Sequence, residues 1–321
     1  MNGIIHSSWI EIIFLLGFQS PYNIRYLIFF LFLVIFCLTI CGNLLIITLV
    51  SHSKSLHSPM YFFLSQLSIS DILLISDILP NTLHAVLLKE TILSFAGCIT
   101  QLYFFALSET SECLLLIVMS YDRYLAVCRP LHYSLAMNFQ FCGKLIITCW
   151  ILSVFTGLIV IFTIVQLKFC GPNVIDHFFC DLVPIIQLSC SDITNLVLET
   201  TILNFVFAVI PFCIIIVSYV YIIVTIFKIP SITGRQKVFS TCSSHLTVVC
   251  IFYGTIVCVY LVPSKVDSWN FSKFLSLLYT AGTPLVNPMI YSLRNKDLKN
   301  AVVKIFNHDL GLLLGQYKNV Y

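Results

Sequence analysis

The sequence predicts an all-α fold, a bundle of seven transmembrane helices, from two observations. Of 321 residues, 59% are hydrophobic and 10% are charged, whereas soluble domains usually carry about 25% charged residues. The apolar residues also fall into seven blocks, each long enough to cross a hydrocarbon layer of about 30 Å. The blocks are 25–50, 59–83, 97–125, 143–165, 196–227, 238–262 and 272–293. These properties indicate a polytopic membrane protein.

The orientation follows from the distribution of basic residues, because an odd number of spans places the two termini on opposite faces. Inner loops of membrane proteins carry an excess of Lys and Arg. With the N-terminus outside, twelve of the 17 basic residues lie on the inner side and five on the outer. We therefore expect an extracellular N-terminus at 1–24, a seven-transmembrane domain at 25–293 and a cytoplasmic segment at 294–321, with the chain in the plasma membrane. No basic patch interleaved with aromatic residues predicts nucleic-acid binding.

The segment after the seventh block has the pattern of a short amphipathic helix. Leu298, Val302, Ile305 and Phe306 repeat with helical spacing, and lysines occupy the other faces. Such a helix lies on a membrane surface, so lipid is an expected partner.

The second block carries Asp71, and the third carries Glu109 and Glu112, at positions where a charge is costly and usually functional. Asp71 lies about 18 Å above the inner face, counted from Pro59, and Glu112 about 15 Å, counted from Asp122, at 1.5 Å per residue. Two carboxyls in one dry site cannot both stay ionised without a cation or a proton. The first interpretation is a sodium ion shared by Asp71 and Glu112, with help from Asn43 and Asn287. The alternative is that one acid is protonated and both form structural hydrogen bonds.

Several motifs together resemble one family. They are PMYFFLSQLSISD (59–71), MSYDRYLAVCRPLHY (119–133), a loop with three cysteines (170–190), KVFSTCSSH (237–245) and NPMIY (287–291). The resemblance covers nearly the whole chain and is to olfactory receptors, a branch of the rhodopsin-like G-protein-coupled receptors. It implies a rhodopsin-like bundle and a receptor for small odorant molecules that activates a stimulatory, olfactory-type G protein and raises cyclic AMP.

Four cysteines are expected at the oxidising outer face, where an even number favours disulfides. The residues alone allow three pairings. The resemblance implies Cys98–Cys180 and Cys170–Cys190. A zinc site formed with His177 is the alternative, although the paired CxxC spacing is missing.

A ligand site is implied in the outer half of the bundle. Phe105 and Glu109 lie one helical turn apart on the third helix, and Glu109 lies about 16 Å below the outer end. An acid there could select an amine or a strong hydrogen-bond donor, or it could form only a packing hydrogen bond. The full set of expected ligand-binding residues is Phe105, Ala106, Glu109, Leu203, Asn204, Phe207, Tyr253 and Tyr260.

The resemblance also implies an activation switch toward the inner face. Asp122 and Arg123 form an acid–base pair at the membrane boundary, and Pro288 can bend the seventh helix. The expected switch residues are Asp122, Arg123, Tyr124, Tyr219, Asn287, Pro288 and Tyr291. Lys237, Ser240, Thr241 and His245 are expected to face the cytoplasm beside the G-protein cleft.

Other function classes fit less well. The sequence has no catalytic triad, metal cluster or phosphate-binding glycine loop at the spacing an enzyme requires, and no cofactor is expected beyond the sodium ion. A secondary transporter using Asp71 and Glu112 would show internal repeats, which are missing. A receptor of the same fold in a non-olfactory tissue is the nearer alternative.

The chain departs from the family pattern in its N-glycosylation sequon, which usually precedes the first span. Here the only N-x-S/T sequence is Asn270-Phe271-Ser272, at the outer mouth of the seventh span.

Overall fold

A computed structural model gives the architecture of residues 11–18, 21–261, 269–294 and 298–303. Within these ranges the side chains at 237, 241, 259–261, 269–272, 293 and 294 are not described. The helices are α1 (Tyr22–His52), α2 (Pro59–Leu88), α3 (Phe95–Cys128), α4 (Pro130–Ala136), α5 (Phe139–Ile164), α6 (Leu182–Gln187), α7 (Thr194–Asn204), α8 (Ile210–Lys228), α9 (Ile232–Leu261), α10 (Trp269–Leu277) and α11 (Thr283–Arg294).

The long helices fall in the seven predicted blocks. In the described part of the chain, five segments are long and apolar enough to cross a membrane: α1, α2, α3, α5 and the α7–α8 pair. Helix α9 adds a sixth when its two bent halves count as one span. The seventh block holds α10 and α11. Helix α3 lies at the centre of the bundle, where it packs against α2, α5, α8 and α9.

Two π-helical turns interrupt the fifth and seventh spans. One, Phe205–Val209, joins α7 to α8, and the other, Leu278–Gly282, joins α10 to α11. A π turn inserts an extra residue into a helix and often occurs at functional sites. Both turns lie in the part of the bundle where the ligand site is predicted.

Local capping interactions begin and end the spans. Ser94 accepts a hydrogen bond from the Gly97 amide at the start of α3, and Asn138 accepts one from Phe141 at the start of α5. These side chains satisfy amide groups that the first helical turn leaves free. At the C-terminal end of α2, the Arg25 guanidinium donates to the Leu87 carbonyl oxygen, 3.3 Å away. A cation is favourable at that negative end of the helix dipole.

A small sheet covers the end of the bundle that is predicted to be outside. Strand β1 (Ile12–Leu15) lies between β2 (Thr91–Ser94), which is antiparallel to it, and β3 (Val174–Ile175), which is parallel. Ile13 and Leu15 of β1 are fully buried. The sheet therefore joins the chain N-terminal to α1 to two outer loops.

Disulfides reinforce the same end. Cys98 in the first turn of α3 is bonded to Cys180, and Cys170 to Cys190, with Cα–Cα distances of 5.4 and 5.6 Å. These are the two pairs that the resemblance implies. Since Cys180 is thereby occupied, the alternative of a zinc site with His177 is wrong. His177 instead stacks on Phe178, with ring centroids 4.7 Å apart.

After the seventh span, residues 298–303 are helical. Leu298 and Ala301 are buried, while Lys299 and Val303 are exposed. Val302, the second predicted apolar position, is half-buried and packs against the hydrophobic core. The two remaining predicted positions, Ile305 and Phe306, lie outside the described residues.

Candidate functional site

The predicted ligand residues on α3 line the outer half of the bundle. The Phe105 ring lies 5.2 Å from that of Phe179 in the outer loop and 6.1 Å from that of Tyr279 on the seventh span. One turn further in, Glu109 is partly exposed and its carboxyl contacts the Tyr279 phenol. This arrangement places one acid among aromatic rings, a surrounding that suits a small, largely apolar ligand with one polar group.

The sixth span contributes aromatic residues on the side of the predicted ligand site that lies deeper in the bundle. Tyr253 is 5% exposed, and its ring lies 4.7 Å from that of Phe212 on α8. The neighbouring Phe252 is fully buried, with its ring 6.0 Å from Tyr279. The side chain of Tyr260, which was expected to line the cavity, lies outside the described part of the structure.

The remaining predicted ligand residues differ in their burial. Ala106, Leu203 and Phe207 are partly buried, and Leu203 packs against the hydrophobic core. Asn204, at the end of α7, is exposed. The structure thus places Phe105, Glu109 and Tyr253 in the interior of the helix bundle, whereas the candidates on the fifth span are less buried.

Sequence reasoning missed Phe179 and Tyr279. The position of Phe179 depends on the conformation of a long loop, and helical periodicity says nothing about that. Tyr279 lies inside a π turn, where an extra residue changes the face that each side chain takes. A signal was available for Phe179, because it immediately precedes Cys180, whose disulfide holds it above α3.

Deeper in the bundle, polar residues from four helices converge. Asp71 is fully buried, and the Asn287 amide donates to both of its carboxyl oxygens at 3.2 and 3.1 Å. The carboxyls of Asp71 and Glu112 contact each other, as the depth estimate predicts. The Asn43 amide nitrogen donates to the carbonyl oxygens of Thr39 and Pro284, both at 3.1 Å.

The same cluster has oxygen atoms available to a cation. Glu112 Oε1 and Asn43 Oδ1 are buried and have no hydrogen-bond partner among the described residues. Carboxyl and amide oxygens are the ligands that hard cations prefer. The donor set therefore fits a small hard cation, although no cluster of three or more His, Cys, Asp or Glu is found among the residues that the structure describes.

At the inner end of α3, Arg123 forms an ion pair with Asp122. The guanidinium donates to one carboxyl oxygen through Nε at 3.0 Å and also through Nη2. The Tyr133 hydroxyl on α4 donates to the other oxygen at 2.9 Å. Burial, together with the nearby Asp122 carboxylate, raises the pKa of Tyr133, so the phenol stays protonated and continues to donate. Tyr133 was not among the predicted switch residues, although it ends the motif that carries the resemblance.

The other predicted switch residues lie near this pair. The Tyr124 ring lies 6.1 Å from that of Tyr221 on α8. The Tyr219 hydroxyl donates to the Cys242 carbonyl oxygen at 3.2 Å and lies 2.7 Å from His245 Nδ1. Tyr291, which follows Pro288 within α11, is fully buried.

The expectation that His245 faces the cytoplasm is wrong, because the side chain is fully buried against Tyr219. It lies more than one helical turn beyond Ser240, which is exposed, so α9 has already entered the bundle at this point. Lys237 and Thr241 have side chains that the structure does not describe.

An exposed apolar patch lies on α4, beside the ion pair. Leu131 is 88% exposed and Leu135 is 77% exposed. An exposed apolar patch of this kind marks a surface that can contact another protein or lipid. Sequence reasoning did not single them out, because α4 is too short to show a clear amphipathic pattern.

Comparisons with known proteins agree with this arrangement. The sequence model of the olfactory receptor family matches residues 31–309. Human olfactory receptor 11L1 is 45% identical over 309 residues, covering 96% of this chain and 95% of its own, and mouse olfactory receptor 1M1 is 45% identical over 306 residues, covering 95% and 97%.

Among solved structures, squid rhodopsin is similar with a TM-score of 0.73 at 18% identity, covering 91% of this chain and 88% of its own. That similarity confirms the predicted fold class, a rhodopsin-like seven-transmembrane bundle, and hence a multi-pass membrane protein. The family match and the 45% identity over nearly the whole chain go further than the fold: the chain belongs to the olfactory receptor family, and it is a receptor rather than an enzyme.

Proposed function

We propose that this receptor binds a small odorant between α3, the fifth span, α9 and the seventh span, and then activates a stimulatory, olfactory-type G protein to raise cyclic AMP. The observation that carries the proposal is the position of α3. Its outer half carries Phe105 and Glu109 of the predicted ligand site, and its inner end carries the Asp122–Arg123 pair. One rigid helix therefore connects both sites.

Glu109 supports a preference for ligands with a cationic or strongly donating group. A protonated amine would form a charge-assisted hydrogen bond with the carboxyl, while the surrounding rings of Phe105 and Tyr279 would contact the apolar part of the ligand. The ligand shifts the receptor toward its active state only as far as it binds that state more tightly.

The inner surface supports G-protein binding. In the active state Arg123 leaves Asp122, the sixth span moves outward, and the cleft admits the G protein. The exposed Leu131 and Leu135 on α4 then supply apolar contact area next to that cleft. Tyr133 remains hydrogen-bonded to Asp122 and so connects this surface to the switch.

We also propose that the N-terminus is extracellular and the C-terminus cytoplasmic. The basic residues support this orientation, with twelve on the inner side and five on the outer. Both disulfides lie at the opposite end from the Asp122–Arg123 pair, and disulfides persist in the oxidising extracellular space.

A sodium ion at Asp71 and Glu112 is the third element of the proposal. Two contacting buried carboxyls call for a cation or a proton, and the unpaired oxygens of Glu112 and Asn43 supply the ligands. The ion would stabilise the inactive arrangement of α2, α3 and the seventh span.

The signalling proposal is tested by measuring cyclic AMP in cells that express the receptor with an olfactory-type G protein, across a panel of amines, alcohols and acids. Wild type should respond to at least one amine. Glu109→Gln should raise the half-maximal concentration for that amine roughly 10- to 100-fold, because a hydrogen bond to a charged group contributes about 1.5–3 kcal/mol. Responses to alcohols should change less.

Arg123→Ala serves as the matched variant at the other end of α3, and it should abolish every response without changing surface expression. An epitope tag at the N-terminus should be accessible to antibody in intact cells if the orientation is correct. A response to amines that is equal in wild type and Glu109→Gln would contradict the ligand site, and a response that persists in Arg123→Ala would contradict the switch.

A further inference from the structure

The strongest feature not used by the proposed function is a buried cation at the outer end of the seventh span. Lys273 is 2% exposed, although Lys is almost never fully buried unless it is paired. Its ammonium forms an ion pair with Asp176 and donates to the Gly17 carbonyl oxygen at 2.9 Å. Both partners lie outside the seventh span, so this one side chain connects three segments of the chain.

The two partners flank the outer sheet. Asp176 directly follows β3, and Gly17 lies two residues after β1. The Gly17 amide donates to the His177 carbonyl oxygen at 3.2 Å. Gly17 has a φ of +57°, and a Cβ at this position would lie 2.9 Å from that of Ala85, so the carbonyl reaches Lys273 only because the residue is glycine.

The segment after Asp176 closes the outer mouth of the bundle, and we call His177, Phe178 and Phe179 the plug. All three are at most 5% exposed. Phe178 stacks on Phe18 with ring centroids 5.3 Å apart, and Phe179 contacts Phe105 at 5.2 Å. The plug therefore separates the predicted ligand cavity from the outside.

The two ends of the plug are fixed in different ways. Its C-terminal end is held covalently to α3 by the Cys98–Cys180 disulfide. Its N-terminal end is connected to the seventh span through the pair formed by Asp176 and Lys273. One permanent and one reversible attachment are the elements of a hinged cover.

We propose that Lys273 is a positioning residue that holds the plug closed and thereby controls how fast small molecules reach and leave the cavity. The inference rests on the proposed odorant site, because the cavity beneath the plug is that site. Opening requires that Lys273 separates from Asp176, after which the plug pivots on Cys180.

Because Lys273 and Asp176 are buried to different extents, substituting one of them should open the plug more than substituting the other. The side chain of Asp176 is 44% exposed and that of Lys273 is 3% exposed. Asp176→Asn leaves a buried cation without its counter-ion, which is strongly destabilising. Lys273→Met removes that cation altogether, so it should open the plug less. The double variant should resemble Lys273→Met rather than add the two effects.

The test measures access to the cavity directly and needs no odorant. Phe105→Cys places a thiol beneath the plug, and membrane-impermeant methanethiosulfonate reagents, one cationic and one anionic, are added to intact cells. Labelling should be slow with native Lys273 and Asp176. Asp176→Asn should accelerate it about tenfold or more, because the closed plug would then hold a buried cation without its counter-ion. Both reagents should react faster, which separates opening from a change in local charge.

Three controls complete the design. Chains without Phe105→Cys give the background labelling of native cysteines. Lys273→Arg keeps the positive charge, so its labelling should stay as slow as in wild type. Lys168 is exposed in the outer loop, so Lys168→Met is a matched variant whose labelling rate should not change. Rates are measured on protein at the surface, so reduced expression does not alter them. Fast labelling with the native pair, or equal rates in Asp176→Asn and wild type, would overturn the proposal. A cyclic-AMP response to odorants is a separate readout, so a silent receptor would leave this test intact.

Discussion

His177 lies in the plug with 5% of its surface exposed and an Nδ1 atom that has no hydrogen-bond partner among the described residues. Burial, assisted by the positive charge of Lys273 and opposed by Asp176, lowers the pKa of this imidazole to about 3. The closed plug therefore contains neutral histidine at physiological pH.

Acidification should favour opening of the plug, because the opened form binds a proton at His177 that the closed form does not. In an opened plug His177 regains a pKa near 6.5 and takes up a proton below that pH, whereas the closed plug excludes it. The closed plug therefore has its full stability relative to the opened form above about pH 6.5, and this stability decreases as the pH falls below that value. At pH 5.5 the opened form should gain about 1.4 kcal/mol, or roughly tenfold in population.

Hydrogen exchange of the amides of residues 174–180 measures this opening, after correction for the intrinsic pH dependence of exchange. His177→Phe keeps an aromatic ring in the plug and removes the titrating group, so its exchange should change little between pH 7.5 and 5.5. An equal pH dependence in this variant and in wild type would assign the effect to another group.

Individual residues also show which parts of the candidate site could be predicted from the sequence. Asp71 and Glu112 could be paired in advance, because the rise of an α-helix is fixed and their depths follow by counting. Phe179 was missed although the neighbouring Cys180 ties its loop to α3, because periodicity does not give the conformation of that loop. Tyr133 was missed because it lies on α4, whose direction after α3 no periodicity determines. His245 was misplaced because helical spacing alone does not say at which turn α9 enters the bundle.

At the scale of whole elements, the apolar blocks located the helices but not their ends. Helix α1 runs from Tyr22 to His52 against a block of 25–50, and α2 extends to Leu88 against 59–83. In α1 the additional residues include Tyr22, Asn23, Ser51 and His52, so hydrophobicity ends before the helix does, whereas α2 continues through His84 into the apolar segment 85–88. The π turns left no signal in the sequence, since their residues are as apolar as their neighbours.

The contact between α1 and the seventh span gives a prediction at this scale. A Cβ at Gly42 would lie 3.1 Å from Pro288 Cγ and 3.2 Å from its Cβ. Gly42→Val should force the two helices apart at Pro288 and destabilise the receptor by about 1–3 kcal/mol, as overpacked cores do. Gly42→Ala should have a smaller effect, since a shift of a few tenths of an ångström relieves it.

The measurement is thermal unfolding of the purified receptor in detergent, with Gly143→Val as the control. Gly143 lies on α5 and a Cβ there meets nothing within 4 Å. Equal unfolding temperatures for Gly42→Val and the control would mean that the close contact between α1 and Pro288 does not limit stability.

In the molecule as a whole, the two ends are built differently. The outer end carries both disulfides, the three-stranded sheet and the plug. The described inner end is held by the Arg123–Asp122 pair and the Tyr219–His245 contact, both of which can break and re-form. A rearrangement between two states therefore costs least at the inner end, where the G protein is proposed to bind.

The cluster of Asp71, Glu112 and Asn287 lies between these two ends, so its occupancy should set the balance for the whole receptor. If sodium occupies it, the purified ligand-free receptor should melt at a higher temperature in NaCl than in choline chloride at the same ionic strength. An ion at ten times its dissociation constant stabilises by about 1.4 kcal/mol. Asp71→Asn should abolish the difference, because it removes the charge that holds the cation, while Asp192→Asn on the outer surface should leave it unchanged. Identical melting of wild type in the two salts would favour the alternative, in which a proton shared by the two acids takes the place of the ion.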